Sequence, residues 1–192
     1  MKFSYAMTKI TSEPFSMPKV RKILDQVINQ ATRELDFGMP LIVDPFARSS
    51  FLTLGNHNTI TNDLDPQFTH CDYNLTAHEF AVEIKGSGVE IDVLVFDPPY
   101  SLRQVKECYE GIGKDLELWQ THNMWGKCKD DLSSCMKLGS YAVSLGWDTH
   151  GMGEKRGFKK MEIHNFEQGG NEYAYNLLVT VERKVQTELF SF

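Results

Sequence analysis

The sequence predicts an α/β fold built on an open, mostly parallel sheet, and three observations carry that expectation. Short apolar runs alternate with segments of helical period through the first hundred residues, in the order helix, strand, loop, strand, helix, strand. Acidic residues stand just past these runs: Asp44 after Leu41-Ile42-Val43, Asp63 and Asp65 after Thr59-Ile60-Thr61, and Asp97 after the run beginning at Ile91. The last run stops at Pro98-Pro99. Proline cannot donate to a sheet ladder and fixes its own φ, so the chain leaves the sheet there in a set direction. The residue before a proline is held extended, which places Asp97 at the strand tip, where open α/β sheets bind their ligands.

Residues 1–15 read as an extended start. A helix opens at Pro18, with Ser16 as its cap and proline in the first turn. Val20, Ile23, Leu24, Val27, Ile28, Ala31 and Leu35 share one face, and Gly38 and Pro40 end the helix. Strands are expected at 41–43 and 59–61, then a helix from Leu75 to Ile84 stopped by Gly86-Ser87-Gly88. The buried strand Ile91–Phe96 follows. The segment 102–138 reads as helix in pieces, broken around Gly111-Ile112-Gly113 and Gly126. Tyr141–Leu145 is a strand closing on Gly146-Trp147. Residues 161–166 and 175–181 form a terminal antiparallel pair around Gly169-Gly170, and 186–192 is a tail. A chain of 192 residues suits one domain, here 1–185, with 102–137 as a lid or target-contact segment.

Composition narrows the function classes. Hydrophobic content of 41% with 24% charged residues is that of a soluble globular domain. No run approaches a membrane span or the core of a signal peptide, so a cytoplasmic location without a membrane partner is expected. The four cysteines then read as reduced thiols, and Cys128, Cys135 and His122 lack the spacing of a structural zinc site. The histidines form no H-E-x-x-H pair and Ser144 sits in no G-x-S-x-G elbow, which leaves metal hydrolysis and serine hydrolase chemistry without support. The net charge of −6 bears on partners. A chain that grips phosphate alone usually presents a basic face, so nucleic acid would be held weakly, or with help from a partner protein or a second copy.

Asp97-Pro98-Pro99-Tyr100 has the parts for one chemical task. The Asp97 carboxylate and the Pro98 carbonyl are rigid acceptors for the protons of a planar exocyclic amine, and Tyr100 can stack on the ring that bears it. Taking both protons localises the nitrogen lone pair and makes the amine a nucleophile towards an electrophilic methyl. With Asp44-Pro45-Phe46, Asp63-Leu64-Asp65-Pro66 and Phe15-Ser16-Met17-Pro18 in order around it, the chain resembles the class I S-adenosylmethionine-dependent amino-methyltransferases of DNA, the adenine-N6 and cytosine-N4 group. The resemblance runs from Phe15 to about Lys184. It implies a Rossmann-like seven-stranded sheet, mostly parallel with an antiparallel C-terminal pair and helices on both faces. It also implies methyl transfer from S-adenosylmethionine to adenine N6 of DNA, with no metal.

The roles implied are specific. Asp97, Pro98 and Tyr100 would be catalytic, with Pro99, Ser101 and Trp147 lining the pocket of a flipped base. Phe15 and Ser16 would close over the cofactor, and Asp44, Pro45, Phe46 and Arg48 would lie against its methionine part. Asp63, with Asp65 beside it, would accept from the ribose hydroxyls, and Thr76 falls where the family places an adenine-contacting acid; Asp72 lies four residues earlier. The chain departs from the pattern at Arg48 and Ser50, where the family has glycines that permit close approach and positive φ. Two accounts follow: a remodelled pocket in which Arg48 pairs with the cofactor carboxylate, or a methyltransferase-like binding or regulatory module. A free nucleotide, RNA or protein amide remains as a further class of methyl acceptor, since no separate target-recognition domain is visible. Within 102–137, Trp119 and Trp125 could stack on bases or pack in the core.

Overall fold

A computed structural model describes residues 1–35, 38–49, 52, 57–115, 125–167 and 176–186. Seven strands form one sheet: β1 (Lys2–Met7), β2 (Leu41–Asp44), β3 (Asn58–Thr61), β4 (Ile91–Phe96), β5 (Met136–Gly146), β6 (Phe158–Glu167) and β7 (Leu177–Lys184), in the order β1-β6-β7-β5-β4-β2-β3. β7 alone runs against its neighbours, antiparallel to both β5 and β6. The chain passes from β2 outward to β3 and returns to β4 on the opposite side of β2. Strand order therefore reverses between β2 and β4, and their carboxyl ends flank the crevice such a reversal creates.

Helices cover both faces. α1 (Pro18–Glu34) lays Val20, Leu24, Val27 and Ile28 on one face against Ile42, Val93, Val95 and Val143. α2 (Ala77–Ser87) and α4 (Gly126–Ser134) pack Phe80, Ile84, Cys128 and Leu132 against Val43, Leu94, Phe96 and Ala142 on the other. The side-chain period of two sends Val95 to one layer and Phe96 to the other. α2 starts on a capping box, with the Thr76 hydroxyl receiving the Glu79 N–H while the Glu79 carboxylate takes the Thr76 N–H. It stops at Gly88, whose φ of 72° closes the left-handed cap.

Three local expectations change. α1 is capped by Met17 without a side-chain bond; Ser16 sits in a preceding 3-10 turn and gives its hydroxyl to the Glu13 carbonyl. The extended start is a sheet strand, β1, on the edge beside β6. The seven strands are thus reached with only β3 beyond β2. Past β3 the sheet goes on as a single bridge, Asn62 to Tyr73. Finally, β5 begins at Met136, inside the stretch read as helix, because Gly139 at φ 95° bends the strand and hides its period.

The connection from β5 to β6 lies against the sheet through a buried carboxylate. Glu182 on β7 accepts the N–H groups of Met152 (2.6 Å) and Gly153 (3.2 Å), and burial raises its carboxyl above the ordinary range. Gly151 stands at φ 54°, and a Cβ there would run into that carboxylate. Gly151→Ala is therefore expected to cost about 1–3 kcal/mol, measured as a lower urea midpoint at unchanged slope.

Candidate active site at the strand-order reversal

The site is built where β2, β3 and β4 end. Asp44 closes β2 and is 2% exposed, with its Oδ1 accepting the Phe46 N–H at 2.9 Å. Asp63 follows β3, and its two oxygens accept from the main chain of Arg48 (Oδ2, 2.9 Å) and Asp65 (Oδ1, 2.8 Å). Asp97 follows β4, half-buried, and Oδ1 receives the Tyr100 hydroxyl at 2.5 Å. Three acidic side chains thus meet in one low-dielectric crevice. Burial lifts all three above the usual carboxylate range. Asp44 is pushed up to about 8, with the charges of Asp97 and Asp63 adding to the burial effect. Asp97 rises to about 6, burial being offset in part by the Tyr100 hydrogen bond and the charge of Arg48. Asp63 rises as well, restrained by its two main-chain donors. Near neutral pH Asp44 is thus mostly protonated and Asp97 mostly ionised, two roles set by environment.

The turn after β2 contains no helix among the described residues, and one buried amide braces it. Asn62, fully buried, donates from Nδ2 to the carbonyls of Pro45 and Leu75, both at 3.0 Å, and accepts the Leu75 N–H at 2.9 Å. Arg48 has φ 46°, the one positive φ of a non-glycine among the described residues. It stands where the sequence departs from the glycine pattern, and its backbone does what glycine would do there. Its carbonyl accepts from His70 Nε2 at 2.6 Å and from the Cys71 thiol at 3.7 Å, while its guanidinium donates to the Ser12 carbonyl at 3.0 Å. Ser12 belongs to the segment that crosses the top of the sheet from β1 to α1. Ser50, the second departure, lies outside the described residues.

The other sequence candidates fall into two groups. Brought to the crevice are Asp44, Pro45, Arg48, Asp63, Asp97, Pro98 and Tyr100. Trp147 joins them from the end of β5, its ring 5.8 Å from that of Tyr100 and 39% exposed. Ile10 and Phe15 pack on the same apolar cluster as Tyr100, so the crossing segment and the Asp97–Tyr100 loop share support. Ser101 caps α3 (Leu102–Gly111) by accepting the Gln104 N–H, and Pro99 lies in the loop before it. Engaged elsewhere are Phe46, Ser16, Asp65 and Thr76. Phe46 sets its ring edge-on to Phe96 and Trp125; Ser16 bonds locally; Asp65 accepts the Gln67 N–H; Thr76 spends its hydroxyl and amide on Glu79. Trp125 also stacks on His78, which makes it a packing residue on the α4 side, while Trp119 lies outside the described residues. Asp72 ties down β3 by accepting the Thr61 N–H and hydroxyl.

One site residue was not singled out from the sequence, Asn62, although it had a usable signal, a polar side chain directly after an apolar run. Among the described residues no group of three His, Cys, Asp or Glu side chains is arranged to hold a metal ion, and no helix is long and apolar enough to cross a membrane.

The sequence matches no protein-family model and has no significant match among curated proteins. Solved structures do match its fold. An S-adenosylmethionine-dependent methyltransferase from Agrobacterium tumefaciens superposes with TM-score 0.55 at 10% identity, covering 88% of this chain and 63% of that one. The N-methyltransferase NodS from Bradyrhizobium japonicum, in complex with S-adenosylhomocysteine, gives 0.51 at 12% identity over 92% of this chain and 94% of its own. NSun6 from Pyrococcus horikoshii gives 0.50 at 12% identity, with 77% of this chain and 48% of that chain covered. The chain therefore spans about half to two thirds of two of these three structures. At such identities the likeness is one of fold, and the fold is the Rossmann-like class I methyltransferase sheet.

The split between Asp44 and Asp97 has a consequence for stability. Asp44 keeps its proton in the folded chain up to about 8 but loses it near 4 when unfolded, so its contribution is full in acid and is lost as pH rises through that window. Asp44→Asn keeps the acceptor for the Phe46 N–H and removes the titration. It is expected to be more stable than wild type, by a margin that widens from about pH 5 to about pH 8 in urea unfolding.

Proposed function

We propose that this protein is an S-adenosylmethionine-dependent methyltransferase acting on an exocyclic amine, adenine N6 of DNA in the finer reading. The observation that carries the proposal is the Asp97–Tyr100 loop: an acceptor carboxylate and an aromatic ring presented together at the strand-order reversal of a class I methyltransferase sheet. NodS, among the fold neighbours, is an N-methyltransferase, which suits an amine acceptor.

The residues at the crevice fit the cofactor by the chemistry of their donors and acceptors. A guanidinium carries five N–H donors, so Arg48 can hold the Ser12 carbonyl and still meet a carboxylate. Each Asp63 oxygen accepts one main-chain N–H, which leaves a lone pair on each for a ribose hydroxyl. The acidic surroundings favour a ligand that carries a sulfonium and an ammonium. When bound, the cofactor supplies an activated methyl group, so no covalent enzyme intermediate is needed. Asp97 and the Pro98 carbonyl accept the two amine protons and aim the nitrogen lone pair along the line of displacement. Asp97 would take one N–H proton of the methylated amine and pass it to solvent, the methyl group being what the bound cofactor would supply. Tyr100 and Trp147, whose rings lie 5.8 Å apart with Trp147 39% exposed, give the base its apolar wall. The net charge of −6 and the carboxylate cluster oppose a phosphate backbone, so target recognition is assigned to a partner protein or a second copy of the chain.

Asp97→Ala tests the assignment. Methyl transfer should fall by about a hundredfold or more, while calorimetric affinity for S-adenosylhomocysteine stays close to wild type. Wild-type kcat/KM should fall in acid through about 6, where Asp97 takes up its proton. Mass spectrometry of nucleic acids from expressing cells then reads the target. N6-methyladenine in DNA is the expected result, the same mark confined to RNA transfers the proposal to RNA, and no binding heat with a folded protein overturns it.

A further inference from the structure

The two edges of the sheet are finished differently. At β3 the edge is four residues long, and the loop beyond closes it: Asp72 takes the Thr61 N–H and hydroxyl, and Asn62 bridges to Tyr73. At β1 the edge is six residues long, and among the described residues no strand pairs with its outer side. The Thr8 N–H reaches the Glu167 carbonyl of β6, so the even residues of β1 turn their main-chain groups inward. Phe3, Tyr5 and Met7 turn theirs outward. The Met7 carbonyl takes Lys19 Nζ at 3.1 Å, which leaves both main-chain groups of Phe3 and Tyr5 and the Met7 N–H for a further strand. Edges that face water are ordinarily blunted with lysine, proline or a bulge. β1 has one charge, Lys2, already paired with Glu162 at 2.9 Å, and no proline or glycine.

The side chains divide in the same way. Ala6 packs on the α1 cluster, so the even positions face that layer. Met1, Phe3, Tyr5 and Met7 share the opposite face and are 84%, 62%, 53% and 59% exposed. The connection from β5 to β6 lays no helix over them, since it contains only the 3-10 turn Glu154–Arg156. At about 200 Å² for a fully open side chain of this size, the four present about 500 Å² beside the unpaired edge. A two-fold pair therefore has about 1,000 Å² to cover, the lower bound for a specific interface, before any main chain is counted. We propose that β1 pairs with β1 of a second copy of this chain, antiparallel about Ser4, joining two seven-stranded sheets edge to edge. The main chain selects this register. Phe3 and the partner's Tyr5 exchange both N–H···O bonds, twice by symmetry, and each Met7 gives its N–H to the partner's Met1 carbonyl. A dyad at Tyr5 would instead set Phe3 against the Met7 carbonyl that Lys19 already holds. On the exposed face the Ser4 dyad lines up aromatic cross-strand pairs, which stabilise sheets. The two strands run oppositely, so each copy leaves the other's crevice open. An interface at the lower bound of area dissociates on dilution.

Sedimentation velocity of the whole chain, without ligand, over about 1–100 μM reads the association directly. The expected result is a shift from one chain to two across that range; a single chain throughout, or a species larger than two, overturns the proposal. Phe3→Glu puts a carboxylate into the apolar strip from an exposed side chain. It should raise the dissociation constant about tenfold or more, with a thermal midpoint at the dilute end close to wild type. Phe3→Glu combined with Tyr5→Lys sets opposite charges across the pair and should recover part of that loss. Ser4→Cys gives a second reading that needs no charge at the edge. Ser4 faces its own copy across the dyad at the Cα spacing of a non-hydrogen-bonded pair, about 4.5 Å, within reach of a disulfide. Mild oxidation should give a covalent dimer on a non-reducing gel that the wild type, with its own four cysteines, does not give. Dimers that form as readily in Phe3→Glu as in wild type, or Ser4→Cys dimers that do not cross-link, overturn the edge pairing. The proposal is independent of the methyltransferase reading: a chain that binds no S-adenosylhomocysteine would sink that reading and leave the β1 result standing.

Discussion

Three hydrogen bonds from one buried amide hold together the part of the chain on which the site depends. Asn62 joins the Pro45 carbonyl after β2 to both main-chain groups of Leu75 before α2. The described residues between β2 and β3 contain no helix, so nothing else at this point gives the chain a regular set of internal bonds. An amide with two donors and an acceptor, fully buried, supplies them. With the Pro45 end fixed, Ala47 can give its N–H to the Asn62 carbonyl at 2.8 Å, and Arg48 is delivered to Asp63 in its left-handed turn. Losing that side chain would strand two carbonyls and an N–H in the interior, a larger loss than the bonds themselves.

The same turn explains how three acids share a crevice. Each is raised by burial, yet each has a different answer to its charge. Asp63 spends it on two main-chain N–H groups. Asp44, with a single N–H partner, stays mostly protonated near neutrality. Asp97 has a tyrosine hydroxyl and the field of a guanidinium, and is the one left ionised and half-exposed to whatever enters. A crevice of this kind is better suited to a cation than to an anion.

Much of the sheet was legible in the residues because its central strands are buried on both faces and read as nearly continuous apolar runs, Ile91–Phe96 above all, broken only by Asp92. The capping pair Thr76 and Glu79 is also a readable signature. β1 was harder. Its Phe3, Tyr5 and Met7 alternate with Ser4 and Ala6 as a strand should, but the larger side chains point to solvent, so the pattern does not announce a core. The first residues of β5 were concealed by Gly139 and by α4 just before them. At the site, Asp44, Asp63 and Asp97 could be placed from strand ends and prolines. The conformation of Arg48 could not, since an arginine carries no local preference for positive φ and is held there by residues distant in sequence, Ser12, Asp63, His70 and Cys71.

Long-range support of this kind links the turn after β2, the crossing segment and the Asp97–Tyr100 loop. Arg48 joins the turn to the crossing segment at Ser12. The crossing segment in turn is held at its ends, by the Thr8 N–H on the Glu167 carbonyl and by Lys19 on the Met7 carbonyl, and packs Ile10 and Phe15 into the cluster that supports Tyr100.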